Sequence, residues 1–385
     1  MSRFTKSEKC LEEFFDQKLF TGAVLNVYQN KKPIHHQAYG FNDPETHEVM
    51  RNDLIFMAYS LTKVSTGVAA MIGLEQGLYQ LDDPVAKYIP EFANLTILQD
   101  TWSEDNPPAK NVLTIRHLLT MTGGMSLVWN RNSAEKQTTK LVSQMNQNSW
   151  TLQEFIKHLA KVPVLFEPGT QWFYGMCLDV MGAVIEVAAG KTFAQFLETE
   201  IFNKLDMPDT RFYITDKSRE ANVFVNRANT MRKVENFSLL MPKERYEQPN
   251  CALGGSGLFT TGDDYIKLAN VLIDGVGLNG VRILTPESVK ALQTDQLKAL
   301  KPDQLLTFNG DYSYSFGMRV RIKNETYPIT NIGEMGWDGF LGSTVLVDPE
   351  KKVAMVLMLS TAYSKNEAVQ TKFYDAFYRD LANME

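Results

Sequence analysis

The order of its hydrophobic periodicities constrains this chain more than anything else in it. Apolar runs of strand length sit near both ends, and a long succession of helical patterns separates them. Residues 22–30 and 33–40 read as two short strands, with an Asn-Lys-Lys hairpin tip between them. Residues 312–320, 343–349 and 352–360 read as strands again, and residues 5–18 and 366–381 as flanking helices. Between these ends, helices are expected at 61–76, 114–119, 152–160, 176–189, 193–203, 263–273 and 286–294. Terminal strands can share one sheet only if the helices between them form an inserted body. The pattern predicts an α+β fold whose sheet is built from both ends of the chain.

A chain of 385 residues can bury a core of this kind without disulfide or metal staples. Its three cysteines, Cys10, Cys177 and Cys251, are too few and too scattered for a disulfide framework. The formal net charge of −6 argues against a general nucleic-acid binder. The longest clean apolar run, residues 353–359, is far shorter than the ~18 residues of a membrane span. The N-terminal residues MSRFTKSEKCLEEFF are charged from the start and show no secretory signal, so a cytoplasmic protein with no membrane partner is expected. Residues 130–149 are rich in Asn, Gln, Ser, Thr and Lys with almost no apolar periodicity, and are expected to form a surface excursion or lid-like loop.

The motif with most chemistry in it is Ser60-Leu61-Thr62-Lys63. A serine hydroxyl is a weak nucleophile until a base takes its proton. Residues three apart on a helix share a face, so the Lys63 amine can reach the Ser60 oxygen. The apolar run that follows would bury Lys63 and favour its neutral form. The plain alternative is a helix cap followed by a solvated lysine. A second copy of the spacing, Ser133-Ala134-Glu135-Lys136, lies in the polar stretch with nothing to bury its lysine.

Other patterns fail on context. Gly275-Val276-Gly277-Leu278-Asn279-Gly280 follows a helix, whereas a dinucleotide fingerprint follows a strand. The five histidines show no zinc spacing, and His117 reads as a packed helix residue. Cys177 lies in an apolar helix, where inert cysteines are common.

The wider sequence resembles the serine β-lactamase-like superfamily, in the branch of class C β-lactamases, D-Ala-D-Ala carboxypeptidase-like proteins and family VIII esterases. The resemblance rests on Phe56-Met57-Ala58-Tyr59-Ser60-Leu61-Thr62-Lys63 and on Gly77-Leu78-Tyr79-Gln80-Leu81-Asp82-Asp83-Pro84. It continues through Ile115-Arg116-His117-Leu118-Leu119-Thr120-Met121-Thr122-Gly123-Gly124, Phe166-Glu167-Pro168-Gly169, Gly254-Gly255-Ser256-Gly257-Leu258 and Gly339-Phe340-Leu341-Gly342-Ser343. It implies a β-lactamase-like fold with an antiparallel sheet lobe, residues 1–58 and 311–385, and a mostly helical lobe, residues 59–310. The active site would lie in the cleft between them. The resemblance makes Ser60 the nucleophile, with Lys63 and Tyr174 as its proton-handling partners. The backbone N–H groups of Ser60 and Phe340 would form the oxyanion hole.

Two of the family's positions differ here. Met176 stands where the family carries an asparagine two residues after the tyrosine, and it cannot hydrogen-bond a substrate amide. Trp337 stands where a lysine or histidine usually opens the strand motif, giving Trp337-Asp338-Gly339, as in family VIII esterases. Met176, Trp337, Asp338 and Gly339 are therefore expected to line the substrate site. The implied activity is a serine hydrolase acting on small acyl esters, with at most weak β-lactam turnover and no metal or organic cofactor. A β-lactamase, a D-Ala-D-Ala carboxypeptidase-like peptidase, an acyltransferase and a silent binder on the same fold remain the alternatives.

Overall fold

The computed structural model describes residues 3–99, 105–227, 230–241, 245–298, 300, 310–325, 330–364 and 366–384. Its α-helices are α1 (Thr5–Asp16), α2 (Thr62–Glu75), α3 (Ile115–Leu119), α4 (Ser133–Asn148), α5 (Leu152–Leu159), α6 (Cys177–Ala189), α7 (Phe193–Leu197), α8 (Gly262–Asp274), α9 (Pro286–Leu292) and α10 (Asn366–Ala382). Its strands are β1 (Gly22–Gln29), β2 (Lys32–Asp43), β3 (Glu48–Val49), β4 (Phe56–Met57), β5 (Phe224–Arg227) and β6 (Thr230–Lys233). They continue with β7 (Phe259–Thr260), β8 (Tyr312–Tyr314), β9 (Arg319–Arg321), β10 (Met335–Asp338), β11 (Gly342–Asp348) and β12 (Val353–Ala362).

Both chain ends build one sheet, in the order β3-β2-β1-β12-β11-β10-β9-β8, with every pair on this path antiparallel. The β1–β2 hairpin closes through Asn30 (φ 48°) and Lys31 (φ 63°), left-handed at both positions as a two-residue hairpin turn requires. The strand at the centre is β12, and its run of consecutive apolar residues reflects burial on both faces. Val353, Met355, Leu357 and Leu359 pack toward α1 and α10, while Ala354, Val356 and Met358 join the core on the other face. Each of the valine, leucine and methionine side chains contributes about 1.5–3 kcal/mol on burial. On that other face α8 lies across β12, β11 and β1, and β5 pairs in parallel with the end of β12. Elements from within residues 59–310 thus complete the sheet's second side. No single helix among the described residues is long and apolar enough to cross a membrane.

Two expectations fail for local reasons. Residues 130–149 are no loop: α4 fills most of the stretch. Its buried positions are Ala134, Glu135, Thr138, Val142 and Met145, and Ala134, Thr138, Val142 and Met145 fall on one face at helical spacing. Asn132 caps it by accepting from Glu135 N at 2.9 Å, and Ser149 ends it in the left-handed conformation. The expected strand 312–320 is instead a hairpin, β8 and β9, broken at Gly317 (φ +87°). A Cβ on Gly317 would lie 2.8 Å from Lys63 O, so the turn rests directly on α2.

Candidate active site

The site begins with the strained approach to α2. β4 pairs with β7, and Ala58 N donates to Leu258 O at 2.9 Å. The next residue, Tyr59, has φ 47°, an uncommon conformation for a bulky side chain. A single 3-10 turn, Tyr59–Leu61, then carries Ser60 into α2. Tyr265 Oη donates to Leu61 O at 2.5 Å from behind. Ser60 is left partly exposed at the head of a helix that is otherwise buried for most of its length.

Two groups converge on Ser60, and a third backs one of them. Lys63, 4% exposed, donates from Nζ to Ser60 Oγ at 3.2 Å. Tyr174 Oη donates to the same Oγ at 2.6 Å. Lys63 Nζ also lies 4.6 Å from the centre of the Tyr174 ring. Trp337 Nε1 donates to Tyr174 Oη at 3.3 Å, and the two rings are 5.4 Å apart. Tyr174 is aimed by its neighbour: a Cβ on Gly175 would sit 1.8 Å from Met125 O, so only glycine lets this segment press against residues 125–126.

Lys63 has a second partner. Its Nζ donates to Gly255 O at 2.5 Å. The loop that carries Gly255 is stitched to α2, since Thr66 Oγ1 donates to Gly254 O at 2.6 Å and Leu258 N to Thr62 Oγ1 at 3.3 Å. From the opposite side, Gly255 N donates to Asp179 Oδ1 at 2.9 Å. Burial raises the Asp179 carboxyl to about 6, against the pull of the Lys63 charge and the Gly255 N–H.

The far wall is the turn between β10 and β11. Gly339 N donates to Ser343 O at 2.7 Å, and Gly342 N to Gly339 O at 2.9 Å. A Cβ on Gly339 would lie 2.7 Å from Ala58 O, so this turn abuts the segment just before Ser60. Phe340 is at its tip. Its ring is 5.6 Å from Tyr59, 6.1 Å from Phe237 and 5.3 Å from Tyr363.

A family model described as Beta-lactamase matches residues 8–379. The chain belongs to the Beta-lactamase family. The fold agrees: a solved structure titled EstCE1, a hydrolase with promiscuous acyltransferase activity, superposes with TM-score 0.82 at 23% identity, covering 98% of each chain. Unliganded simvastatin synthase (LovD) from Aspergillus terreus superposes with TM-score 0.80 at 19% identity, again over 98% of each. In sequence, the chain is 25% identical over 374 residues to Esterase EstB of Burkholderia gladioli, covering 92% of this chain and 90% of the relative.

Within this family frame the expected site residues divide. Ser60, Lys63, Tyr174 and Trp337 meet, and Gly339 and Phe340 flank them. Asp338 does not reach the pocket. Side chains alternate along β10, so Trp337 faces the helical core while Asp338 faces α10, where Arg319 and Thr344 hold its carboxylate. Met176 is 1% exposed and part of the core, so it offers a substrate no surface. Sequence reasoning passed over Asp179 and the Gly255 carbonyl. A carboxylate inside the apolar run of α6 was the available signal for Asp179; a carbonyl leaves none.

The discarded motifs have structural roles. His117 closes a capping box on α3 with Thr114. The buried Cys177 thiol is pushed up to about 12. Gly275 ends α8 in the left-handed conformation, as the first residue of a turn. Among the described residues no cluster of three or more His, Cys, Asp or Glu is placed to hold a metal ion.

Proposed function

We propose that this chain is a serine hydrolase that forms an acyl-enzyme on Ser60 and acts on esters of small acyl groups. The observation that carries the reading is the pair of contacts on one oxygen, Lys63 Nζ and Tyr174 Oη both on Ser60 Oγ. Ser60 attacks the ester carbonyl carbon and gives its proton to the Lys63–Tyr174 pair, which acts as a unit. The N–H groups of Ser60 and Phe340 receive the oxyanion, each donor contributing about 3–4 kcal/mol to the transition state. The pair returns the proton to the leaving alcohol, and the acyl group stays on Ser60. Water, activated by the same pair, then cleaves the acyl bond and frees the acid.

The ester preference is supported by the walls. Trp337 on β10, beside Tyr174, and the Phe340–Phe237–Tyr363 cluster at the β10–β11 turn give apolar surface where a carboxylate-bearing β-lactam or peptide would need a cation. The curated relative named as an esterase points the same way. A second reading is acyl transfer, in which an alcohol replaces water in the last step. It is favoured by the promiscuous acyltransferase activity of the structural neighbour EstCE1.

The test is intact-protein mass spectrometry with p-nitrophenyl butyrate, a fluorophosphonate and a chromogenic cephalosporin, with Ser60→Ala alongside. Ester turnover with an adduct that vanishes in the variant is expected. No adduct and no turnover with any reagent would remove the hydrolase reading. Added alcohol that diverts product from acid to new ester would favour transfer.

A further inference from the structure

Asp179 is a carboxylate sunk where a charge is costly. It sits in the first turn of α6 at 3% exposure, inside the core that joins α6 to α2. An ion buried this way costs several kcal/mol unless an opposite charge and hydrogen bonds compensate it. The Lys63 charge opposes the cost, and Gly255 links the two. Gly255 gives its N–H to Asp179 Oδ1 at 2.9 Å and takes Lys63 Nζ on its carbonyl at 2.5 Å. The carboxylate presses on that residue, since a Cβ on Gly255 would lie 2.6 Å from Asp179 Oδ2. A Cβ on Gly254 would lie 2.2 Å from Leu178 O, so the loop lies flat on α6 along both glycines. Thr62 and Thr66 tie the loop to α2, and Asp179 ties it to α6.

We infer that Asp179 is a positioning residue for the nucleophile. It fixes Gly255 so that its carbonyl holds Lys63 Nζ on Ser60, and it places a buried negative charge near the Lys63 amine as that amine takes up the Ser60 proton. The inference rests on the reading of Ser60 and Lys63 as the reacting pair. It assigns Asp179 no contact with substrate. Misplacing a reacting group by about 1 Å costs on the order of 100-fold in rate. The Asp179 carboxyl is raised to about 6, so its charge is present above that pH and lost below it. The titratable groups acting on or feeling this charge are Lys63 from α2, Cys251 from the loop and Cys177 from α6 itself. Burial lifts both thiols and keeps them neutral in this range, so Lys63 is the basic group that faces Asp179.

Asp179→Asn keeps an acceptor for Gly255 N and removes the charge. With p-nitrophenyl butyrate from pH 5 to 8, the wild type should lose kcat/KM as pH falls through about 6. The variant should lose that acid limb. Its kcat should fall about 10–100-fold, with KM within about twofold. An unchanged limb and an unchanged kcat would overturn the inference. If the variant does not fold, the wild type decides alone: fluorophosphonate labelling of Ser60 that is flat across this range overturns it, and labelling that drops below about 6 supports it. The two readings fail differently. A wild type that never labels on Ser60 defeats the hydrolase assignment, whereas one that labels while Asp179→Asn behaves identically defeats this inference only.

Discussion

Two serine–lysine pairs of the same spacing stand at helix starts in this molecule. Ser60 and Lys63 open α2, and Ser133 and Lys136 open α4. The sequence spacing alone cannot tell them apart. Lys63 is 4% exposed and touches Ser60 Oγ, Gly255 O and the Tyr174 ring. Lys136 is exposed, and Ser133 Oγ is buried with no hydrogen-bond partner among the described residues. In the second copy the nearby charge is spent locally, with Glu135 taking Arg131 at 2.7 Å. What separates the pairs comes from far along the chain: Tyr174 is 114 positions from Ser60, and Gly255 is 192 from Lys63. Spacing supplies reach, and the fold supplies the burial and the third group that make reach chemical.

The largest test of this contrast is paired substitution of the two serines. Ser60→Ala should lower ester turnover by about 10⁴-fold or more and abolish the fluorophosphonate adduct. Ser133→Ala should leave both unchanged. The reverse result, measured by turnover and adduct mass, would break the comparison. Next in size is Tyr174→Phe, which removes one hydroxyl and keeps the ring over Lys63. A drop in kcat of about 10²–10⁴-fold is expected, as for loss of a general acid–base group. A variant at full activity would leave Lys63 as the only proton acceptor.

Trp337→His probes the wall. It replaces an apolar ring with a hydrogen-bonding one beside Tyr174 Oη. One hydrogen bond to a charged group is worth about 1.5 kcal/mol, so the ratio of cephalosporin to ester turnover should rise about tenfold. An unchanged ratio would show that Trp337 does not set the preference.

Much of the site was readable because its key residues carry side-chain signatures. Ser60, Lys63, Tyr174 and Trp337 belong to short motifs, and the fold brings them together. The losses have definite physical causes. Trp337 and Asp338 are adjacent on a strand, and adjacent strand residues face opposite ways, so they could not both line one pocket. That rule was available from the sequence. The Gly255 carbonyl was not, because nothing in a residue's identity says where its backbone oxygen points. At α4, polar composition masked a narrow buried stripe, since Ala134, Thr138, Val142 and Met145 are few but correctly spaced. In the 312–320 segment a single glycine turned one expected strand into two.

The smallest expected effect tests what the second serine–lysine copy is for. If the start of α4 serves only to begin a helix, its working residue is Asn132, which accepts from Glu135 N at 2.9 Å. Asn132→Ala removes that cap, at a cost of about 1 kcal/mol. For a chain of this length the melting temperature should drop by only about 1 °C. Ester turnover should stay within about twofold, because among the described residues the hydrogen bonds of Asn132 stay within the first turn of α4 and the loss is spent on helix initiation. A thermal melt and an ester assay on the same preparation decide it. A fall in turnover of more than tenfold with the melt barely moved would place the start of α4 in the working site, and the contrast between the two copies would then rest on how each contributes to one reaction.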